Sequence, residues 1–221
     1  AKGDGETDDT KAIQEAIDKY DNIYVPQGWY RITETLKMKP DTKLIGLHPF
    51  GTQFRLDEST AAFSGFGGPK AMVESSEGGA NMLVGIGINT GGYNYRAVGV
   101  KWMANADSYM NDVKFVGGHG GLWKPKPGVE EPRGRWNRPA RISSPDNPVA
   151  ASGMDLAWDN QYWSLWVTNN GGGTFKDIWT ASTYATNGFY ANNTSTPGRI
   201  YAMSIEHHVR NEVRFSKVSN W

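Results

Sequence analysis

The sequence predicts an all-β solenoid: coils of short parallel strands, closed at the start by one helix. Three observations carry this. A long series of short β-type runs follows a single amphipathic helix, no helical pattern separates those runs, and similar phrases recur along the chain. The helix comes first. Thr7-Asp8-Asp9-Thr10 supplies cap candidates, and Ala12, Ile13, Ala16 and Ile17 repeat at helical spacing, which predicts a helix over Thr10 to Lys19 acting as a structural lid. Strands are then expected at Asn22 to Val25, Tyr30 to Thr33, Lys43 to Leu47, Met72 to Glu74, Met82 to Ile88, Val98 to Met103 and Asp112 to Val116. Others follow at Ser164 to Thr168, Phe175 to Thr180, Gly188 to Ala191, Ile200 to His208 and Glu212 to Val218.

These runs are too many and too short for a doubly wound α/β sheet. Asn111-Asp112-Val113-Lys114-Phe115, Phe175-Lys176-Asp177-Ile178-Trp179 and Phe215-Ser216-Lys217-Val218 have the look of recurring rung fragments. Coils of roughly 20 residues or more, with loop insertions, account for their uneven spacing. An antiparallel sandwich, the alternative from strand count alone, should show hairpin turns at short regular intervals, and few are present. Leu122 to Ala150 breaks the pattern, with six prolines and Arg133, Arg135, Arg138 and Arg141 around Trp123 and Trp136. It reads as a loop inserted into a single domain spanning residues 1–221. The helix covers the first coil, whereas nothing covers the last, and further coils of the same solenoid are expected beyond Trp221.

Composition narrows the partners. The 221 residues carry a formal net charge of zero, which removes the electrostatic argument for nucleic acid or an anionic membrane. No apolar run reaches the length of a membrane span. Cysteine is absent and only four histidines are present, so disulfides are excluded and neither a metal site nor a cofactor is expected. The 27 glycines suit tight turns, and the nine tryptophans suit stacking on flat apolar faces such as those of sugar rings.

Candidate chemistry centres on Tyr201-Ala202-Met203-Ser204-Ile205-Glu206-His207-His208-Val209. Strict alternation puts Tyr201, Met203, Ile205 and Val209 in the core, and Ala202, Ser204, Glu206 and His208 outward. A carboxylate and an imidazole would then share an open strand surface, where proton transfer near neutral pH is available. His207 would point the other way. In the segment before Thr168, parity puts Trp163 with Leu165 and Val167 in the core, and Tyr162 and Trp166 outward with Ser164 as sugar-stacking platforms. Asn160 and Gln161 are candidates for hydrogen bonds to sugar hydroxyls. Asp155, Asp159, Asp177 and Glu212 are further carboxylates to which the pattern gives no clear role.

The opening Gly3-Asp4-Gly5-Glu6-Thr7-Asp8-Asp9-Thr10-Lys11-Ala12-Ile13-Gln14, with Ile23-Tyr24-Val25-Pro26-Gln27-Gly28 and Tyr30-Arg31-Ile32, resembles the first coil of the pectate-lyase-like superfamily of right-handed parallel β-helices. Three later segments resemble glycoside hydrolase family 55, the β-1,3-glucanases. They are Gly99-Val100-Lys101-Trp102 with Met110 to Gly118, then Trp158-Asp159-Asn160-Gln161-Tyr162, and Ser204-Ile205-Glu206-His207-His208. The resemblance implies a secreted or periplasmic enzyme that cleaves β-1,3-glucan by exo attack with inversion. It implies Glu206 in the active site, positioning or activating water, with the general acid about one coil further on, past Trp221. Inverting chemistry needs both carboxylates, separated by roughly 6.5–9.5 Å to admit the water, so this chain alone is expected to be inactive. His208, Asn160, Gln161, Tyr162 and Trp166 are the implied substrate contacts, and a polysaccharide or oligosaccharide the implied partner. The family usually has two β-helices with the Glu-His-His segment in the second, whereas this chain reaches it from a single Gly-Asp-Gly opening. Two alternatives remain: a polysaccharide lyase, disfavoured by the lack of a dense acidic cluster for calcium, and a non-catalytic carbohydrate-binding or tailspike-like β-helix.

Overall fold

The computed structural model describes residues 1–92, 94–116, 161–180, 183, 185–206, 208 and 210–221. The expected loop insertion at 122–150 lies outside the described residues. The helix α1 runs Thr10–Lys19, as its spacing predicts, and buries Ile13 and Ile17. Every paired strand is parallel to its neighbour, and the strands wind a parallel β-helix with three faces.

The first face stacks β2 (Asn22–Val25), β5 (Lys43–Gly46), β8 (Met82–Val84), β11 (Tyr109–Asn111) and the leading halves of β14 (Gly173–Thr180) and β16 (Gly198–Ile205). The second stacks β1 (Asp4–Asp8), β3 (Gly28–Arg31), β6 (Thr52–Arg55), β9 (Gly87–Asn89), β12 (Lys114–Val116) and the trailing half of β14. The third is a separate sheet in the order β17 (Asn211–Val218), β15 (Ala185–Thr194), β13 (Gln161–Val167), β10 (Ala97–Trp102), β7 (Lys70–Glu74) and β4 (Leu36–Lys37).

Register turns the sequence into columns. Leu44, Leu83, Met110, Phe175 and Ile200 align on the first face. Tyr30, Phe54, Ile88 and Phe115 align on the second. Leu36, Val73, Val100, Leu165, Phe189 and Val213 align on the third. Each column points inward, and its members bury one another along the axis in a stack of strands about 4.8 Å apart. The final coil is the exception: Ile200, Val213 and Phe215 are 38%, 45% and 48% exposed, with Trp221 against Phe215 and stacked on Phe175.

One residue makes the corner between the first and second faces. Asp112, Asp177 and Ala202 have φ of 51°, 51° and 53°, and Gly85 has 64°; the register stacks all four with Gly46. A left-handed residue lets two inward side chains flank a single turned position, as in Phe175-Lys176-Asp177-Ile178. Gly46 and Gly85 lie so close that a Cβ on either would fall 2.4 Å or 2.6 Å from the other's carbonyl oxygen. The first two rung fragments are this corner in successive coils. The third, Phe215 to Val218, is a different corner, where Asn169 and Asn193 on the third face precede Lys217 at φ 55°.

The turned residue also corrects the parity of β16. Because Ala202 occupies a corner, Ile200 rather than Tyr201 points inward; Tyr201 pairs with Lys176 and is 54% exposed, while Met203 and Ile205 pack on the core. Val209 lies outside the described residues.

The opening motif has a structural purpose. The Asp9 carboxylate accepts from the backbone N–H groups of Lys2 (2.6 Å) and Gly3 (2.9 Å), so it ties down the first strand rather than capping α1 with its side chain. Asp4 accepts from Glu6, Thr7 and the Thr7 hydroxyl, which hold its carboxyl down at about 2. Gln14 on α1 donates to Lys37 O (3.0 Å) and accepts from Lys37 N (2.8 Å), satisfying the edge of β4 as a strand would. Arg55, fully buried, donates to Gly5 O and pairs with Asp57; burial pulls its guanidinium down to about 10.

Candidate functional site

The three corners differ in what they can carry. The corner between the first and second faces is a single residue, and the returns from the third face to the first are short. Between the second and third faces, by contrast, the chain takes residues 56–69 to pass from β6 to β7, whereas the longest described return is residues 75–81. In a solenoid, insertions gather on one side and that side is commonly the binding side. The candidate residues fall on the two strand surfaces that meet there.

On the third face the outer surface carries an aromatic strip. Tyr162 contacts Trp163 with ring centroids 5.3 Å apart, Trp163 contacts Trp166 at 4.7 Å, and Trp163 contacts Tyr190 at 4.8 Å. All four rings are half-buried. Lys101 lies over Trp166 at 5.2 Å and Arg214 over Tyr190 at 5.1 Å. Trp166 Nε1 donates to Asn192 Oδ1 at 2.7 Å, fixing the plane of its indole. Tyr162 and Trp166 therefore face outward as parity predicts. Trp163 does not: it belongs to the outer strip and not to the core. Ser164 and Leu165 are both buried, so alternation breaks between them. Gly99, opposite Ser164 in the preceding coil, permits the close approach there: a Cβ on it would lie 2.5 Å from Ser164 O.

At the end of the second face, Glu206 follows β16 directly, held by its N–H to Thr180 O at 3.0 Å. Its carboxylate is half-buried on the outer surface and accepts from Trp179 Nε1 at 2.5 Å. Phe50, 48% exposed, meets Trp179 edge to face at 5.8 Å, and His48 lies 5.7 Å from Phe50. The structure thus gives the acid an indole partner that alternation had no means to indicate.

Two expected surface residues are inside the wall. Gln161 is 2% exposed; its amide donates to Thr90 O (3.3 Å) and Gly91 O (3.0 Å), and its Oε1 accepts from the Thr90 hydroxyl (2.7 Å). His208 does not share an open face with Glu206, for its side chain is fully buried. Its Nδ1 lies 2.6 Å from Glu212 Oε2, which leaves Nε2 to the hydroxyls of Thr183 (3.2 Å) and Ser164 (3.4 Å). Glu212 also accepts from the His208 backbone N–H at 3.2 Å. The imidazole is a latch joining successive coils at the corner behind Glu206, and Glu212 gains its role as the other half of that latch. Asp177 is a turned corner residue paired with Lys176. Asn160, Asp155, Asp159 and His207 lie outside the described residues.

Among the described residues, no group of three or more His, Asp or Glu side chains is placed to hold a metal ion, and no helix is long and apolar enough to cross a membrane.

A match to one family model agrees with this architecture. The model of the rhamnogalacturonase A/epimerase, pectate lyase-like family matches residues 1–199. A probable glucan endo-1,3-beta-glucosidase of Arthroderma benhamiae is 49% identical over 49 residues, which are 21% of this chain and 6% of that protein. The chain therefore spans a small part of that relative. Among solved structures, the N-terminal fragment of the bacteriophage phi29 gene product 12 is 17% identical, with 99% of this chain and 42% of that chain covered at a TM-score of 0.40. The A-module of the Azotobacter vinelandii mannuronan C-5 epimerase AlgE4 is 16% identical, covering 96% and 56% at a TM-score of 0.37.

Proposed function

Because the chain belongs to the rhamnogalacturonase A/epimerase, pectate lyase-like family, we propose that it is the ligand-holding part of a glycoside hydrolase acting on a polysaccharide, most like a β-1,3-glucanase. The observation that carries this reading is the outward strip of Tyr162, Trp163, Trp166 and Tyr190 on a rigid sheet, beside the corner that carries the 56–69 connection. Pyranose rings present apolar C–H faces that stack on such rings, and strand-borne aromatics hold their geometry without ordering cost. The similarity to a protein named as a glucan 1,3-glucosidase supports the linkage.

In this reading Glu206 is the carboxylate that positions or activates water. The Trp179 N–H fixes the orientation of its carboxylate. The general acid of an inverting pair comes from a further coil stacked on β16 and β17. That face is suited to it: Ile200, Tyr201, Phe215, Val218 and Trp221 surround a hollow of about 740 Å³. Catalysis then belongs to the assembled solenoid, and a polymeric glucan substrate puts the protein outside the cytoplasm, secreted or periplasmic.

The test is product analysis on the intact protein with β-1,3-glucan. New reducing ends of inverted configuration are expected, with no ultraviolet-absorbing unsaturated uronate from acidic polysaccharides. Glu206→Gln should abolish turnover and spare binding, while Trp166→Ala should weaken binding. Turnover retained by Glu206→Gln removes its assigned role, and formation of unsaturated uronate moves the enzyme to the lyases.

A further inference from the structure

The connection from β6 to β7 holds a feature that the strip and Glu206 leave unused. Phe66 is 98% exposed, between Gly65 and Gly67. A single exposed ring is ordinary on a protein surface; this one matters because of the cleft it stands beside. The loop around it is well anchored. Phe63 is buried, Arg96 N donates to Phe63 O at 2.9 Å, and Arg96 Nε donates to Gly68 O at 3.1 Å. Gly65 and Gly67 have φ of 74° and 149°, conformations that set the shape of the tip and that other residues take only under strain. The ring is thus held out by a defined loop.

Phe66 lines a cleft of about 220 Å³ with Gly65, Gly67, Tyr95, Gln161, Tyr162 and Thr186. Tyr162 closes the link to the strip: its hydroxyl donates to Gly67 O at 2.9 Å, and its ring touches Trp163. The cleft is smaller than the pockets that hold drug-sized ligands, which run from roughly 300 Å³ upward, and so fits one ring rather than several. Its walls are aromatic with hydroxyl and carbonyl groups between them, the mixture a pyranose needs.

We propose that this cleft is a terminal sugar subsite, in which one pyranose ring of the bound glycan stacks on Phe66 while the chain continues over Tyr162 and Trp163 along the third face. The inference rests on the carbohydrate reading above and adds to it the place where one end of the bound glycan is gripped. Phe66 is a specificity residue, acting by contact with a ring away from the bond being cleaved.

Isothermal titration of the intact protein with β-1,3-linked gluco-oligosaccharides tests it. Phe66→Ala should bind the longer oligosaccharides about tenfold more weakly, the scale of one lost ring stack. Its melting temperature should match the wild type because the side chain is exposed, and Phe66→Trp should restore affinity. Wild-type binding with an unchanged Phe66→Ala overturns the subsite and leaves the carbohydrate reading in place. A wild-type protein that binds neither these nor other oligosaccharides overturns both.

Discussion

Replacing Gln161 by leucine separates a wall residue from a ligand contact. The two side chains have similar volume, so no large cavity forms, and the change removes three buried hydrogen bonds: to Thr90 O, to Gly91 O and from the Thr90 hydroxyl. Each bond contributes about 1 kcal/mol net, and a buried polar group left without a partner costs about 1–3 kcal/mol. Some of the freed groups will rotate or find water, so the loss should be about 3 kcal/mol. For a chain of this size each kcal/mol lowers the melting temperature by roughly 2–4 °C, which predicts a fall of about 6–12 °C by circular dichroism, with a matching shift in a urea titration. Glycan affinity measured well below that transition should fall less than in Phe66→Ala, because Gln161 borders the cleft with only 2% of its surface exposed. Unchanged stability with glycan affinity reduced tenfold would refute the wall assignment and return Gln161 to the ligand surface.

Ala202→Gly should raise stability by about 0.5–1 kcal/mol, since glycine takes the left-handed corner that alanine occupies under strain; a urea melt showing equal or lower stability would argue against the corner. Asp4 predicts an acid effect. Its folded-state pKa is depressed from 3.8 to about 2, so the stability it contributes is fully present above 3.8 and is lost as pH falls through about 2. Asp4→Asn should therefore flatten the dependence of unfolding free energy on pH across that window, and profiles of equal slope would show that the carboxylate does not anchor the first strand. His208→Leu should destabilise the chain by removing the partner of Glu212, Thr183 and Ser164. If stability holds and only activity changes, the imidazole is not a latch.

How far the sequence could be read depended on whether a residue's surroundings were local. The helix was legible because its periodicity and its burial share one cause, the face of Ile13 and Ile17. The run from Met82 to Ile88 was legible as β but not as two strands, because nothing in the composition marks Gly85 as a corner in preference to a strand glycine. β1 has the sequence Asp-Gly-Glu-Thr-Asp and no alternation at all; pairing with β3 and the Asp9 hydrogen bonds impose its extended form. Within the site, Tyr162 and Trp166 follow from parity. Trp163 depends on a glycine one coil earlier, Gln161 on carbonyls about 70 residues away, and Trp179 meets Glu206 only because one coil separates them. Tyr190 and Phe66 carried no pattern beyond their own aromaticity.

The corners explain why the chemistry gathers where it does. Stacked left-handed residues such as Asp112, Asp177 and Ala202 must keep one residue per coil, because an insertion would shift every inward side chain after it to the wrong face. The corner between the second and third faces has no such column, so chain length there can vary without disturbing the core columns on either side. Glu206 stands where the second face ends, and Tyr162 where the third begins. In the reading proposed above, the aromatic strip lies on one sheet and the acid on the next, and the corner between those two faces is the one that carries the 56–69 connection.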